Sequence, residues 1–225
     1  MLLRLVMRLM RQISRRRGQG TGHVSGQPDA AQLSPDLEAN IEGIVRAFGG
    51  SSDLVVRRLR AGRSGSVAAA VVHLEGLVDK DLVAQCMIRP VTLMTANLAS
   101  PSEVLDRLYD ALLLVTDVDR IADAHEVVLA VAEGLCVVLI DSACTALACA
   151  VQGWAQRSPE EPSTEATVRG SKEGFVESLR VNTSILRRRI ADPRLHIEER
   201  RLGRVTRTLV AMAYVHGIAR PSIIQ

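Results

Sequence analysis

Apolar side chains recur with helical spacing in some segments of the chain and form short continuous runs in others. After Ser34-Pro35, apolar residues return every three or four positions over 37–48, which predicts a helix with Ser34 as its N-cap. Residues 67–74 form a nearly continuous apolar run, which indicates a buried strand. Gly49-Gly50 and Glu75-Gly76 follow these two segments and mark where each is expected to end.

The rest of the chain alternates between the same two patterns. Strands separated by helices, with one hairpin across the tight turn at 141–143, favour an α/β fold with a mixed sheet. Near the end of the chain, Leu195 and Ile197 fall on one strand face, while His196 and Glu198 fall on the other. These criteria predict helices over 52–59, 79–98 with a break at Pro90, 102–114, 123–133 and 172–190, and strands over 115–121, 135–140, 144–151, 195–202 and 206–215.

Two polar segments divide the chain into domains. Residues 18–34 are rich in Gly, Ser and Gln, and residues 156–167 contain two Pro, three Glu and no apolar run. We therefore predict two small mixed α/β subdomains joined by a linker. The predicted parts are a basic amphipathic helix and flexible linker over 1–33, subdomain 1 over 34–155, a linker over 156–167, and a partial subdomain 2 over 168–225.

An internal repeat relates the end of the first predicted strand to the end of the last. Aligning Gly76 with Gly217 pairs residues 70–77 with 211–218, and then Leu82-Val83 with Ile223-Ile224. Both copies indicate a strand, a glycine turn and the start of a helix. The second α/β unit is therefore expected to be truncated, and the chain to be one piece of a longer protein.

Composition limits the classes of partner. Of the 225 residues, 47% are apolar and 24% charged, which is typical of a folded protein. Residues 1–17 contain six Arg and no acidic residue, so the net charge of +3 becomes −3 for the remainder. That negative body, with two Phe, two Tyr and one Trp, is unsuited to nucleic acid. No apolar run reaches the roughly 18 to 20 residues that span a bilayer.

Within residues 1–17, cationic side chains share one helical face. Arg4, Arg8, Arg11 and Arg15 follow at steps of four, three and four, with apolar residues between them. A basic amphipathic helix of this kind can lie on an anionic membrane surface, and it also resembles a targeting segment. An unstructured tail or a misassigned start codon are the alternatives.

No catalytic constellation is evident in the sequence. The five His are scattered, no HExxH or GxSxG motif occurs, and the GRSGS turn at 62–66 lacks the Gly-Lys-Ser/Thr ending of a phosphate loop. His73 and His216, near strand ends, either line a ligand cleft or are structural. We expect no enzyme activity, no cofactor and no metal site, and we expect reduced core thiols at Cys86, Cys136, Cys144 and Cys149.

The stretch 168–208 carries a pattern of ordered motifs. They include Val168-Arg169-Gly170, the run Ile185-Leu186-Arg187-Arg188-Arg189-Ile190 and Leu202-Gly203-Arg204, and residues 73–83 (HLEGLVDKDLV) and the hairpin at 135–151 add to the match. Together they resemble the A subunits of GerA-type bacterial spore germinant receptors over roughly 67–225. Ser171 departs from the family, which commonly has Pro there. The family-motif or docking residues are Arg169, Gly170, Glu173, Phe175, Glu177, Arg180, Asn182, Arg187, Arg188, Arg189, Gly203, Arg204 and Thr208.

The resemblance implies a soluble N-terminal region of two α/β subdomains, followed in the family by a membrane domain that is not part of this chain. It implies nutrient sensing and receptor assembly with B and C subunits at the cytoplasmic, core-facing side of the inner spore membrane. The residues that contact a small nutrient ligand are not indicated. Arg enrichment over 169–207 suggests a patch that docks an acidic partner or lipid headgroups, or else a helix face balanced by Glu. The alternative function is a stand-alone peripheral membrane α/β regulatory module, anchored by the N-terminal basic helix.

Overall fold

The computed structural model describes residues 32–61, 67–93, 101–111, 117–153 and 174–224. Within these ranges, seven helices, one π-helical turn and seven strands build two antiparallel sheets. The helices are α1 (Leu37–Ala47), α2 (Lys80–Leu82), the π-helical turn π1 (Val83–Ile88), α3 (Arg89–Leu93), α4 (Pro101–Ala111), α5 (Ala124–Ala132), α6 (Leu179–Arg189) and α7 (Pro221–Ile224). The strands are β1 (Leu54–Ala61), β2 (Val67–Leu74), β3 (Val118–Ile121), β4 (Cys136–Ile140), β5 (Ala146–Cys149), β6 (Leu195–Leu202) and β7 (Thr208–Val215).

The first sheet has five strands in the order β1-β2-β4-β5-β3 and is covered on both faces. Successive residues of β2 point to opposite sides, so Ala70 and Val72 join a core with α1 and α5, while Ala69 and Val71 join a core with π1, α3 and α4. This double burial explains why β2 and β4 are almost wholly apolar. The α/β prediction is confirmed, although every described pair of strands is antiparallel, so the sheet is not mixed.

Several predicted helices differ from the structure. Residues 54–61 form edge strand β1 instead of a helix, because they pair with β2 along their whole length; Val56 packs against one core and Leu59 against the other, while Arg57 and Arg58 stay exposed. Helix α1 is capped by Asp36, two residues after the predicted Ser34 cap, since the Asp36 carboxylate accepts bonds from the first turn. Helix α6 begins only at Leu179.

The helix after β2 does not break at Pro90. It continues through α3, and the π-helical turn π1 ends at Ile88, two residues before Pro90. Proline lacks the N–H that an α-helix needs at this position, and a π-helical turn changes the hydrogen-bond register there. The wider turn therefore lets Val83, Met87 and Val91 stay on one buried face.

The second sheet is the hairpin β6-β7, as predicted from the alternation around Gly203. Its eight residue pairs run from Leu195 opposite Val215 to Leu202 opposite Thr208. Leu195 and Ile197 are buried, whereas the alternate residues are partly exposed. Helix α6 packs beside this hairpin. None of the helices in the described ranges is long and apolar enough to cross a membrane.

The four cysteines divide into two pairs by burial. Cys136 and Cys149 lie buried opposite each other on β4 and β5, whereas Cys86 is half-buried and Cys144 is exposed, so Cys144 is not a core thiol. Burial raises the pKa of the Cys149 thiol to about 12, with smaller contributions from Asp119 and Cys86, and burial also raises the pKa of Cys136.

We expect thiol reagents to separate these pairs, because the thiolate is the reactive form. At about pH 8, Cys144 should be modified first in the folded chain, and Cys136 and Cys149 should react only after unfolding. Mass spectrometry of peptides labelled with iodoacetamide under native and denaturing conditions measures this. Early labelling of Cys149 would contradict the buried position.

Candidate functional site: a buried clamp between the two sheets

The loop between α1 and β1 turns two polar side chains into the interior. Phe48 ends α1, and Gly49 and Gly50 follow with φ angles of +58° and +68°, a left-handed conformation that glycine adopts without a steric penalty. This turn leaves Ser51 and Asp53 only 5% and 1% exposed. Buried groups of this kind need partners, because an unpaired carboxylate in the interior costs several kcal/mol, on the order of 5.

The partner of Asp53 is Arg187 of α6, which comes 134 residues later in the chain. Arg187 is 1% exposed and binds Asp53 in a two-pronged geometry, with Nε donating to Oδ2 at 2.7 Å and Nη2 donating to Oδ1 at 2.9 Å. Its guanidinium carbon lies 5.5 Å from the centroid of the Phe48 ring. A bidentate, desolvated pair is geometrically strict, so it fixes α6 against the α1-β1 loop.

Ser51 connects this pair to the second sheet. Its Oγ donates to Asp53 Oδ1 at 2.7 Å and accepts from Arg187 Nη2 at 2.9 Å and from the backbone N–H of Ile197 at 2.8 Å. Next to it, the N–H of Ser52 donates to the Ile197 carbonyl at 2.8 Å. The loop thus occupies the outer edge of β6. We call Ser51, Asp53 and Arg187 the clamp.

Weaker contacts surround the clamp. Arg180 of α6 pairs with Glu75 at 2.7 Å and with Glu199 at 3.2 Å, and these side chains are partly in solvent. Gly76 approaches α6 so closely that an added Cβ would lie 3.1 Å from the Cβ of Ser184. Exposed ion pairs contribute at most about 1 kcal/mol each. The buried clamp therefore dominates the polar contacts at this junction.

Histidines flank the clamp on β6 and just after β7. The rings of His196 and His216 stack with centroids 5.3 Å apart, and Tyr214 meets His196 edge-on at 5.4 Å while donating to Glu198. Burial lowers the pKa of His196, and the nearby His216 and Arg187 lower it further, while Glu198 acts in the opposite direction. The neutral imidazole is therefore favoured in the fold.

This lowered pKa predicts acid sensitivity. Unfolding restores the ordinary value near 6.5, so the unfolded chain binds more protons below neutral pH, and stability is lost as the pH falls. Buried His73, whose pKa burial also lowers, acts in the same direction. We expect the free energy of unfolding, measured in urea, to decrease from about pH 7.5 to about pH 5.5. The variant His196→Asn should show a smaller decrease, and an unchanged pH dependence would contradict this account of His196.

The structure places the family-motif residues in different environments. Arg187 is buried in the clamp and so is not part of a surface docking patch. Asn182 holds Val176 by two bonds of 2.7 Å, and Gly203 turns the β6-β7 hairpin with a φ of +85°. Arg180 forms the ion pairs above, and Arg188 and Arg189 end α6. Phe175, Glu177, Arg204 and Thr208 are exposed, and Arg169, Gly170, Glu173 and the N-terminal Arg4, Arg8, Arg11 and Arg15 lie outside the described residues.

Ser51 and Asp53 are functional candidates that the sequence reasoning missed. The sequence pattern predicts a helix over 52–59, and a helix there gives no reason to expect that Ser51 and Asp53 bind a distant cation. The local pattern gave no signal, because Thr183 and Ser184, which share the helical face of Arg187, are polar residues whose burial is visible only in the structure. An arginine on a buried face requires a buried acceptor.

Two further features bear on ligand binding. A cleft of about 460 Å³ lies beside the turn after β7 and is lined by Tyr214, His216, Gly217, Ala219, Pro221 and Ile224. His216 therefore lines a cleft, whereas His73 lies buried in β2. Among the described side chains, no three His, Cys, Asp or Glu residues are placed to hold a metal ion.

Comparison with known proteins gives this arrangement a context. Residues 42–225 match the family described as Bacillus/Clostridium GerA spore germination protein. The spore germination protein KA of Bacillus subtilis (strain 168) is 31% identical over 193 residues, which are 86% of this chain and 35% of that protein. GerLA of Bacillus cereus is 29% identical over 194 residues, 84% of this chain and 39% of that protein. The chain spans just over a third of the length of these relatives.

A solved structure shares the fold. The N-terminal domain of the A subunit of the Bacillus megaterium spore germinant receptor GerK3 superimposes with a TM-score of 0.71 at 25% identity, over 88% of this chain and 71% of that one. The residues that the family model matches, 42–225, include all three residues of the clamp. The chain belongs to the GerA family of spore germination proteins, and its fold is that of the N-terminal domain of a germinant receptor A subunit.

Proposed function

We propose that the chain is a non-enzymatic sensing and assembly module of a germinant receptor, in which the clamp transmits a change between the two sheets. The observation that carries the proposal is the desolvated pair Arg187–Asp53. It joins helix α6, which packs beside the second sheet, to the loop before β1 of the first sheet. A ligand shifts a conformational equilibrium only by binding one arrangement better than another. The buried pair tolerates little change in geometry, so an arrangement of the two sheets that keeps the pair and one that breaks it differ in free energy.

The chemistry of the clamp suits a mechanical role better than a catalytic one. Arg187, Asp53 and Ser51 satisfy one another and the backbone of Ile197, so no nucleophile or base is left facing a cleft. When buried ion pairs are disrupted, the lost partner leaves an uncompensated charge. The junction therefore resists small displacements and yields only to a cooperative rearrangement.

The proposed setting includes the partners and place that the resemblance implies. The module would act with B and C subunits at the core-facing side of the inner spore membrane and respond to a small nutrient. The family membership and the fold of a receptor N-terminal domain support this setting. Exposed arginines on the β6-β7 hairpin, such as Arg200, Arg201 and Arg204, offer a cationic surface to acidic partner segments.

A chimeric receptor tests the proposal. Residues 42–225 would replace the matching segment of spore germination protein KA in Bacillus subtilis, and nutrient-triggered loss of spore optical density would be measured. We expect Arg187→Lys, which keeps the charge but loses the two-pronged bond, to slow the response at least about tenfold. The matched variant Arg189→Lys at the exposed end of α6 should respond like the parent chimera. An unchanged response of Arg187→Lys, at equal receptor abundance on immunoblots, would contradict a transmitting role for the clamp.

A further inference from the structure

Two of the four cysteines lie directly opposite each other inside the first sheet. Cys136 on β4 and Cys149 on β5 are register partners, and neither side chain is exposed. Both point to the same face of the sheet, where they pack in one core with Val138 and Leu147. Both are free thiols. The fold therefore places two reduced sulfurs side by side on neighbouring strands.

The backbone brings these two cysteines to a separation that a disulfide can span. Ala150 N–H donates to Asp117 C=O beside β3, so the preceding residue, Cys149, turns its own backbone toward β4. Cys136 and Cys149 are therefore a hydrogen-bonded pair, in which the Cα atoms are about 5.5 Å apart. Disulfides join Cα atoms about 4.4 to 6.8 Å apart and Cβ atoms about 3.5 to 4.5 Å apart. The Cβ atoms of facing residues are about 4.5 to 5.5 Å apart, so a small approach of the two side chains closes the bond.

An oxidant in solvent does not reach either of these sulfurs. Cys136 and Cys149 have no exposed surface, and burial raises the pKa of both thiols, so the reactive thiolate is scarce. Direct reaction of either thiol with an external reagent is therefore slow in the folded chain. Oxidation of the pair needs a neighbouring thiol that is open to solvent and can exchange with a buried one.

Cys86 of the π-helical turn π1 has the position of such a thiol. It is half-buried and packs against the same core as the two buried cysteines. Its helix begins beside the end of β5, where Asp79 N–H donates to Val151 C=O at 2.9 Å. The raised pKa of Cys149 is caused first by burial, then by Asp119 and then by Cys86, so the Cys86 sulfur is close enough for its charge to act on Cys149. Turns of the π type are frequent at functional sites.

We propose that Cys136 and Cys149 are a redox-active pair, which a small disulfide oxidises by way of Cys86. The Cys86 thiolate attacks the small disulfide and releases one small thiol. Cys149 then attacks the Cys86 sulfur of this mixed disulfide and releases the second small thiol, and Cys136 attacks Cys149 and releases Cys86. Each attacking thiol loses a proton, and each leaving thiolate takes one up. In sum, two protein thiols are oxidised to one disulfide, and one small disulfide is reduced to two thiols.

The product of this reaction is a covalent bond between two inner strands of the first sheet. Strands β4 and β5 both have a neighbour on either side, so the bond closes within the existing fold. Small thiols reverse the reaction by the same exchange steps. The site therefore responds to the ratio of thiols to disulfides around the chain. This inference does not depend on the proposed sensing role.

Mass spectrometry of the folded 225-residue chain tests the site, with bis(2-hydroxyethyl) disulfide as the oxidant at about pH 8. After quenching in acid, cleavage before aspartate places Cys136 in peptide 123–140 and Cys149 in peptide 141–191. We expect these two peptides to become linked and to separate again in 2-mercaptoethanol. The variant Cys144→Ser, which lacks the exposed thiol, should form the same bond at the same rate. A chain in which the two peptides stay unlinked, or become linked only in urea, would overturn the proposal.

Two substitutions in the Cys144→Ser chain test the route through Cys86. Cys86→Ser should slow formation of the buried disulfide at least about tenfold, because an intramolecular exchange step is replaced by direct access from solvent. An equal rate without Cys86 would overturn this route. Cys136→Ala should instead accumulate a bond between Cys86 and Cys149, which links peptides 81–105 and 141–191.

A control for folding keeps the second substitution informative. Circular dichroism compares the Cys136→Ala chain with its parent, since the substitution removes a buried side chain. If the variant is unfolded, the bond between Cys86 and Cys149 is measured at early times in the folded parent, where it is the expected intermediate. Absence of this bond from the folded chain under both conditions would contradict exchange between these two thiols.

Discussion

Replacing Arg187 with methionine should lower the free energy of unfolding by about 3 to 5 kcal/mol, the range found when one partner of a buried ion pair is removed. Methionine fills much of the volume of the arginine stem, so the cost arises mainly from Asp53. That carboxylate is 1% exposed and would keep only the hydroxyl of Ser51 as a side-chain partner. Denaturant unfolding of the 225-residue chain measures the change.

The double variant Arg187→Met, Asp53→Leu distinguishes the loss of the ion pair from the cost of leaving the Asp53 carboxylate buried without a partner. With both charges gone and the volume kept apolar, most of the stability should return, to within about 1 to 2 kcal/mol of the parent. Arg189→Met, at the exposed end of the same helix, is the control and should change stability by less than about 1 kcal/mol. If the double variant is as unstable as the single one, the penalty does not come from the unpaired Asp53.

The comparison of sequence with structure shows which kinds of information local patterns carry. The buried strands β2 and β4 were predictable because two covered faces require continuous apolar runs. The repeat at Gly76 and Gly217 was predictable because a left-handed turn selects glycine at both places. The prediction for strand β1 was wrong because helical and strand patterns are hard to tell apart over eight residues. Its arginines hide the strand pattern further, since an edge strand tolerates charged residues.

The clamp was not predictable from local pattern at all. Three consecutive arginines at the end of a helix are typical of an exposed patch, and Arg188 and Arg189 fit that pattern better than Arg187 does. What buries Arg187 is Asp53, which belongs to another element 134 residues earlier. A side chain's environment depends on tertiary contacts, so a single sequence contains the residues of such a pair without indicating that they meet.

The repeat and the clamp together indicate how the junction is specialised. When α1 is aligned with α6, Arg187 corresponds to Val45, a half-buried apolar residue that packs against the first core. The second copy thus has a cation where the first has an aliphatic side chain. Arg187 reaches the loop before β1. A position that packs within its own unit in the first copy therefore makes a contact between the two units in the second copy. The clamp is therefore a feature of the pair of units and not of the repeated fold itself.

Gly49→Ala should be markedly more destabilising than Gly50→Ala, although the two glycines are neighbours with similar positive φ angles. Both substitutions place a Cβ in the left-handed conformation, which costs about 1 to 2 kcal/mol. Nothing lies within 4 Å of a Cβ added at Gly50, whereas one added at Gly49 would overlap the imidazole of His196. Overpacking of this kind adds about 1 to 3 kcal/mol, so we expect a total loss of about 2 to 5 kcal/mol for Gly49→Ala in denaturant unfolding.

A double-mutant cycle identifies the origin of the difference. In a His196→Ala background the overlap disappears, so the cost of Gly49→Ala should fall to that of Gly50→Ala. The result bears on the junction because Gly49 and His196 lie beside the clamp, one on the loop before β1 and the other on β6. Equal costs for the two glycine substitutions in the parent chain would mean that the loop and β6 are not in direct contact at this point. A difference that disappears with His196 means that the first and second sheets meet there by close packing as well as by the buried ion pair.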